Sequence, residues 1–185
     1  MYTLHFKSLI NLWDRPYYVQ VYKPKHLKRK YRFDGKDIAS CLFSIEAYAT
    51  NPKFKTQQYS EAALTLFLTK LRNERHQIAQ LHQSKLQEWG DIHLVPYQAD
   101  KHVYSLNIDN ETLCRSTGLL IKTFVAADNF LFDVYRAQHN EEISDDEVRD
   151  IKQSLIKQLQ RLLVSIHSNS HKFHVERKRL EGTTT

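Results

Sequence analysis

The sequence predicts a mainly α protein with a few short strands, an α+β chain in which long helices form the body. Three observations carry this. Apolar residues recur at helical spacing over most of the chain after Lys36. Alternating, β-prone stretches are confined to two places, near residues 17–33 and 101–108. Only four Gly and four Pro occur in 185 residues, and none cluster, so no linker divides the chain. The expectation is one compact domain over 1–180, with a basic strand region at about 15–36, a helical body at about 37–168 and a disordered tail at 181–185.

Taken in order, Tyr17 to Tyr22 (YYVQVY) alternates aromatic and β-branched side chains, and Lys30 to Phe33 (KYRF) alternates basic with aromatic; both read as short strands. Ile38, Leu42 and Ile45, with Cys41 beside them, then fall at helical spacing until Asn51-Pro52 stops the run. Ser60 can cap a long helix whose stripe is Leu64, Phe67, Leu68, Leu71, Ile78 and Leu81, ending near Gly90. From Lys101 to Ile108 the chain reads as a half-buried strand, Tyr104, Leu106 and Ile108 pointing one way and Val103, Ser105 and Asn107 the other. Asp109 or Asn110 can open a helix through Leu113, Leu119, Leu120 and Phe124, and Asp128 a second through Leu131, Val134 and Tyr135, with Gly118 interrupting the pattern. Ser144 and Glu147 form a capping box for the last helix, where Val148, Ile151, Leu155, Leu159, Leu162 and Ile166 make an apolar face for the core or for a homodimer seam.

The net charge of +6 matters because it is segregated. Between Gln20 and Lys36 stand Lys23, Lys25, Lys28, Arg29, Lys30, Arg32 and Lys36 against one acid, Asp34, with Tyr22, Tyr31 and Phe33 interleaved. A second basic cluster comprises Lys172, Arg177, Lys178 and Arg179, whereas 141–150 is acidic. Clustered cations beside aromatic rings fit a phosphate backbone, whose counterions they release. A solvated charged face is the plainer reading of each cluster. Membrane-surface binding is disfavoured by Pro24 and by the β-prone aromatics in the first one. The apolar runs are too short to span a bilayer, the opening MYTLHFKSLINLWDR has no leader pattern, and both cysteines sit among apolar neighbours. A cytoplasmic protein is expected.

No catalytic constellation is found. The four glycines cannot assemble a phosphate loop, and no GxSxG, HExxH, CxxC or calcium-loop pattern occurs. His167, His171 and His174 lack a cysteine or a convincing acidic partner for zinc, Cys41 and Cys114 read as buried thiols, and the 141–150 carboxylates suit a helix N-terminus. No enzyme, cofactor, metal or small-molecule ligand is predicted.

Several landmarks resemble a known family. They are YTLHF at Tyr2 to Phe6, the start of the long helix at Tyr59, Ser60 and Glu61, the Leu119-Leu120 pair, and a D-x-x-L helix from Asp128 and Leu131 ending in A-x-H at Ala137 and His139. In these the chain is similar to accessory proteins of integrating conjugative elements and conjugative plasmids, and among them to AcaB-type transcriptional regulators. The resemblance implies a bacterial, nucleoid- or plasmid-associated DNA-binding regulator with a ribbon-helix-helix element, which acts as a homodimer and activates conjugative transfer genes. Such an element needs a strand with outward polar residues, paired between two chains and inserted in the major groove. Two places qualify. Lys28, Lys30 and Arg32 share one face of the first, with Lys23, Lys25, Arg29 and Lys36 left for phosphates; Lys101, Ser105 and Asn107 share one face of the second. The first is preferred because it brings both charge and the side chains that most often read guanine. The alternative is an interaction protein of the transfer machinery that reads no DNA sequence.

Overall fold

The computed structural model describes residues 2–24, 33–99, 103–106 and 112–182. In chain order these form β1 (Thr3–Leu4), α1 (Lys7–Trp13), α2 (Arg15–Tyr22), α3 (Gly35–Thr50), α4 (Gln57–Glu88), β2 (Tyr104–Ser105), α5 (Arg115–His139) and α6 (Asp145–Gly182). The mainly helical class with a minor sheet is as the periodicity predicts.

The centre is α5. Leu120, Phe124, Ala127, Phe130, Leu131, Val134 and Ala137 are fully buried, and Ile121, Thr117 and Thr123 widen the buried arc. An arc that broad requires neighbours on several sides, and α5 packs against α3, α4, α6 and β1. The apolar face of α6 is covered within the chain: Val148, Leu155, Leu159, Leu162 and Ile166 all lie in the core, while α6 packs on α3, α4, α5 and α1. Ile151, the remaining member of that face, is partly buried against the core. Burying side chains of this size stabilises by about 1.5–3 kcal/mol each, before the entropy of ordering them.

The N-terminal segment is pinned from two directions. β1 pairs antiparallel with β2, Thr3 opposite Ser105 and Leu4 opposite Tyr104, and Leu106 N–H donates to the Tyr2 carbonyl at 2.8 Å. His5 then donates its backbone N–H to Asp128 Oδ1 (2.8 Å), while its Nδ1 lies 2.6 Å from Oδ2. In α1, Leu9, Ile10, Leu12 and Trp13 are buried, with Trp13 edge-on to Phe124 at 5.0 Å.

Four expectations need correction. Tyr17 to Tyr22 is helix α2: Asp14 Oδ1 accepts the Tyr17 N–H at 3.0 Å and Pro16 stands in the first turn. That cap and proline outweigh the β propensity of the side chains, none of which is fully buried. Ser60 caps nothing; α4 starts at Gln57, and buried Ser60 donates its hydroxyl to the Thr56 carbonyl at 2.9 Å, inside the helix. Asp128 opens no helix, because α5 is continuous from Arg115 to His139 and Gly118 sits in its first turn with open space around it; Asp109 and Asn110 lie outside the described residues. Finally, α6 does not end near 168 but runs 38 residues to Gly182. Its predicted cap is present, Ser144 N–H and Oγ both meeting Glu147 Oε2, at 2.9 and 2.8 Å. Among the described residues, no helix is long and apolar enough to cross a membrane.

Candidate nucleic-acid interface

The basic strip predicted at 23–36 lies in sequence between α2 and α3, and the structure describes its two ends, Lys23 to Pro24 and Phe33 to Lys36. Its departure is fixed by Lys23, which is exposed, adopts a left-handed backbone (φ 41°) and donates its N–H to the Val19 carbonyl at 3.1 Å. For a residue with a Cβ this conformation costs about 1 kcal/mol, offset here by closing the helix end. Lys25, Lys28, Arg29, Lys30 and Arg32 lie outside the described residues.

The return is built more heavily. Phe33 stacks on His167 of α6, ring centroids 4.2 Å apart and planes 10° from parallel. Asp34 then caps α3, its Oδ1 accepting the N–H groups of Lys36 and Asp37 and its Oδ2 that of Arg15, while Asp37 Oδ2 accepts from Asp34 N–H. Burial pushes the Asp34 carboxyl upward, against these hydrogen bonds. One residue on, Gly35 lies so close to Trp13 that a Cβ would fall 2.5 Å from the ring. Glycine is therefore the residue that lets this corner close.

Lys36 has a partner within the fold. Its Nζ lies 2.5 Å from Asp14 Oδ2, which also accepts the Tyr104 hydroxyl at 2.7 Å. Burial alone would raise Asp14, but hydrogen bonds from Lys36, Tyr104 and the Tyr17 backbone together hold it below its ordinary value. The Tyr104 phenol is pushed far upward by burial and by this carboxylate. The Lys36 head, about half exposed, serves first as the counter-charge of a buried acid.

At the second candidate, the predicted alternation is present: Tyr104 and Leu106 are buried, Val103 is exposed and Ser105 is intermediate. One edge of this strand pairs with β1 of its own chain. Lys101 and Asn107 lie outside the described residues.

The landmarks of the resemblance fall mostly in the core. Leu4, Phe6, Ser60, Leu120, Leu131 and Ala137 are buried, Tyr59 stacks on Phe173 at 5.5 Å, and His5 of YTLHF meets Asp128 of the D-x-x-L helix. They hold the fold together. The three histidines weighed as zinc ligands serve separately: His167 stacks on Phe33, His174 lies 3.4 Å from Ser44 Oγ, and His171 faces solvent.

One surface escaped the sequence reading. Beyond the cluster at its C-terminal end, α6 exposes Lys157 and Arg161 as well as Lys172. The signal was available, because 151–175 contains no Asp or Glu at all. Comparison with known proteins returns no matching family model, no matching curated protein and no matching solved structure.

Proposed function

We propose that the protein is a DNA-binding regulator, acting as a dimer on the promoters of conjugative transfer genes, with the strip from Lys23 to Lys36 as its DNA-contacting segment. Support comes chiefly from how the strip is rooted: Phe33, its last aromatic residue, stacks on His167 in the acid-free length of α6. Cations that leave from such a place meet a phosphate backbone with no carboxylate of α6 nearby to oppose it. The biological setting comes from the resemblance in YTLHF and the Asp128 to His139 helix.

Fluorescence anisotropy with random duplex and with DNA upstream of its own transfer genes, over a salt series, tests this. Steeply salt-dependent binding with preference for the upstream DNA is expected. Arg32→Ala should cost about 1–3 kcal/mol on the preferred site only, whereas Lys23→Ala should weaken every duplex alike and flatten the salt slope by about one unit. No binding to either duplex at moderate salt would overturn the reading in favour of an interaction protein of the transfer machinery.

A further inference from the structure

We infer that the solvent face of α6 is a second contact surface for duplex DNA, a ridge along which one phosphate backbone runs beside the basic strip. The inference rests on the DNA-binding reading and adds to it a surface on a different element.

At 100° per residue, Lys157, Arg161, Val164, Ser168 and Lys172 lie within about 40° of one line along the helix. All five are exposed. The cations of this line, from Lys157 to Lys172, span about 22 Å at 1.5 Å per residue.

The cations of this face are uncompensated. The ion pairs of α6 are Arg149 with Asp146, Arg177 with Glu181 and Arg179 with Glu176; Lys157, Arg161, Lys172 and Lys178 form none with a described residue. Lys152, by contrast, is directed onto α5, its Nζ 3.0 Å from the Tyr135 hydroxyl. An ordinary solvated face mixes signs, as the exposed part of α4 does with Arg72, Arg75, Glu88 and its Lys85–Glu88 pair. The acids of α6 are confined to its two ends, Asp145 to Asp150 at the start and Glu176 and Glu181 near the finish, and these would repel phosphate and so set the limits of the ridge.

The residues between the cations select DNA over a protein partner. Gln153, Gln160, Ser168 and Asn169 supply amides and hydroxyls of the kind that hydrogen-bond phosphate oxygens. The line carries no aromatic residue, and its exposed apolar groups, Val164 and Val175, stand about 16 Å apart along the helix, so it presents no cluster of aromatic or apolar anchors such as a protein interface uses. The strip also returns here. His167, on which Phe33 stacks, lies about a quarter-turn round the helix from the line through Ser168, so Phe33, at the end of the strip, borders the ridge.

The experiment compares salt-dependent binding of a random-sequence duplex by the full chain, by three variants and by a control, Lys122→Gln. The first carries Lys157→Gln, Arg161→Gln and Lys172→Gln; the second carries Arg161→Gln alone; the third carries Lys28→Gln, Lys30→Gln and Arg32→Gln. Glutamine is a good helix former, and each α6 position is exposed, so helicity and melting should be unchanged. The α6 triple variant should bind on the order of a hundredfold more weakly near physiological salt, with a salt slope flatter by two to three units, and Arg161→Gln should flatten it by about one. Lys122→Gln, exposed on α5, should change neither. Wild-type affinity and slope in the α6 triple variant, together with lost binding in the strip variant, would overturn the ridge and leave the DNA-binding reading standing. Failure of the unaltered chain to bind duplex would overturn both.

Discussion

Two buried carboxylates respond to acid in opposite ways. Glu46 of α3 closes the N-terminus of α5, accepting from Ser116 N–H (2.9 Å) and Oγ (2.7 Å) and from Arg115 N–H and Nε, both at 3.2 Å. Burial raises its proton affinity, but the Ser116 side chain and backbone, Cys114 and Arg115 outweigh it, so the folded value lies below the ordinary one. A depressed folded value means that the contribution of Glu46 is complete above the unfolded value, about 4.3, and is lost as the pH falls through the folded value. Glu46→Gln should therefore destabilise by about 1–3 kcal/mol at neutral pH and less at acid pH, as urea unfolding at the two pH values would show. Asp128 has the opposite sign, since burial raises it despite both hydrogen bonds from His5. Its stabilising contribution is present in acid and shrinks as the pH rises through its folded value. Neither role was legible in the sequence. Asp128 read as a helix opener because an Asp before an apolar run looks the same whether it caps backbone N–H groups or takes a partner 123 residues away.

Among the elements, α4 and α6 were legible as long helices, α5 was read as two, and α2 was read as a strand. In α4 and α6 the apolar period repeats over many turns, and tertiary packing only decides which neighbour covers it. In α2 there are two turns, and the outcome depended on Asp14 and Pro16, just upstream of the alternating YYVQVY run. Glycine sets a matching contrast. At Gly35 an added methyl group would collide with Trp13, whereas at Gly118 it would meet nothing within 4 Å inside a helix. Gly35→Ala should thus destabilise by about 1–3 kcal/mol and disturb the root of the strip. Gly118→Ala should stabilise by about 0.5–1 kcal/mol. Thermal melting of the two variants would check both signs, and a stabilised Gly35→Ala would contradict the close corner between α1 and α3.

For the molecule as a whole, α5 is the axle on which the other helices are mounted, and stability should be distributed accordingly. Beyond Leu71, the buried residues of α4 reduce to Ile78, helped by His82, which lies 2.9 Å from Asp133 and stacks on Phe130. Native-state hydrogen exchange should then be slowest between Leu120 and Val134 and faster in the stretch 72–88 of α4. Equal protection of the two would count against this hierarchy. The DNA-facing expectation was legible as charge, since the density of Lys and Arg at 23–36 needs no structure to be seen. Its surroundings were not: the stacking of Phe33 on His167 and the diversion of Lys36 to Asp14 depend on contacts between distant parts of the chain. The α6 face lay between these cases, because its lack of acids is visible in sequence and its exposure only in three dimensions.

The clamp of His5 on Asp128 also orders events in time. During synthesis at about 5–20 residues per second, the first helix is made roughly 6–25 seconds before the residue that fastens it. Until then α1 has α2 and α3 to pack on but lacks the cover that α5 and α6 provide, Phe124 against Trp13 included. That delay makes the N-terminal segment a natural client for a holding chaperone at the ribosome, and it predicts that truncated nascent chains ending before Asp128 are cut by protease near α1 while longer ones resist.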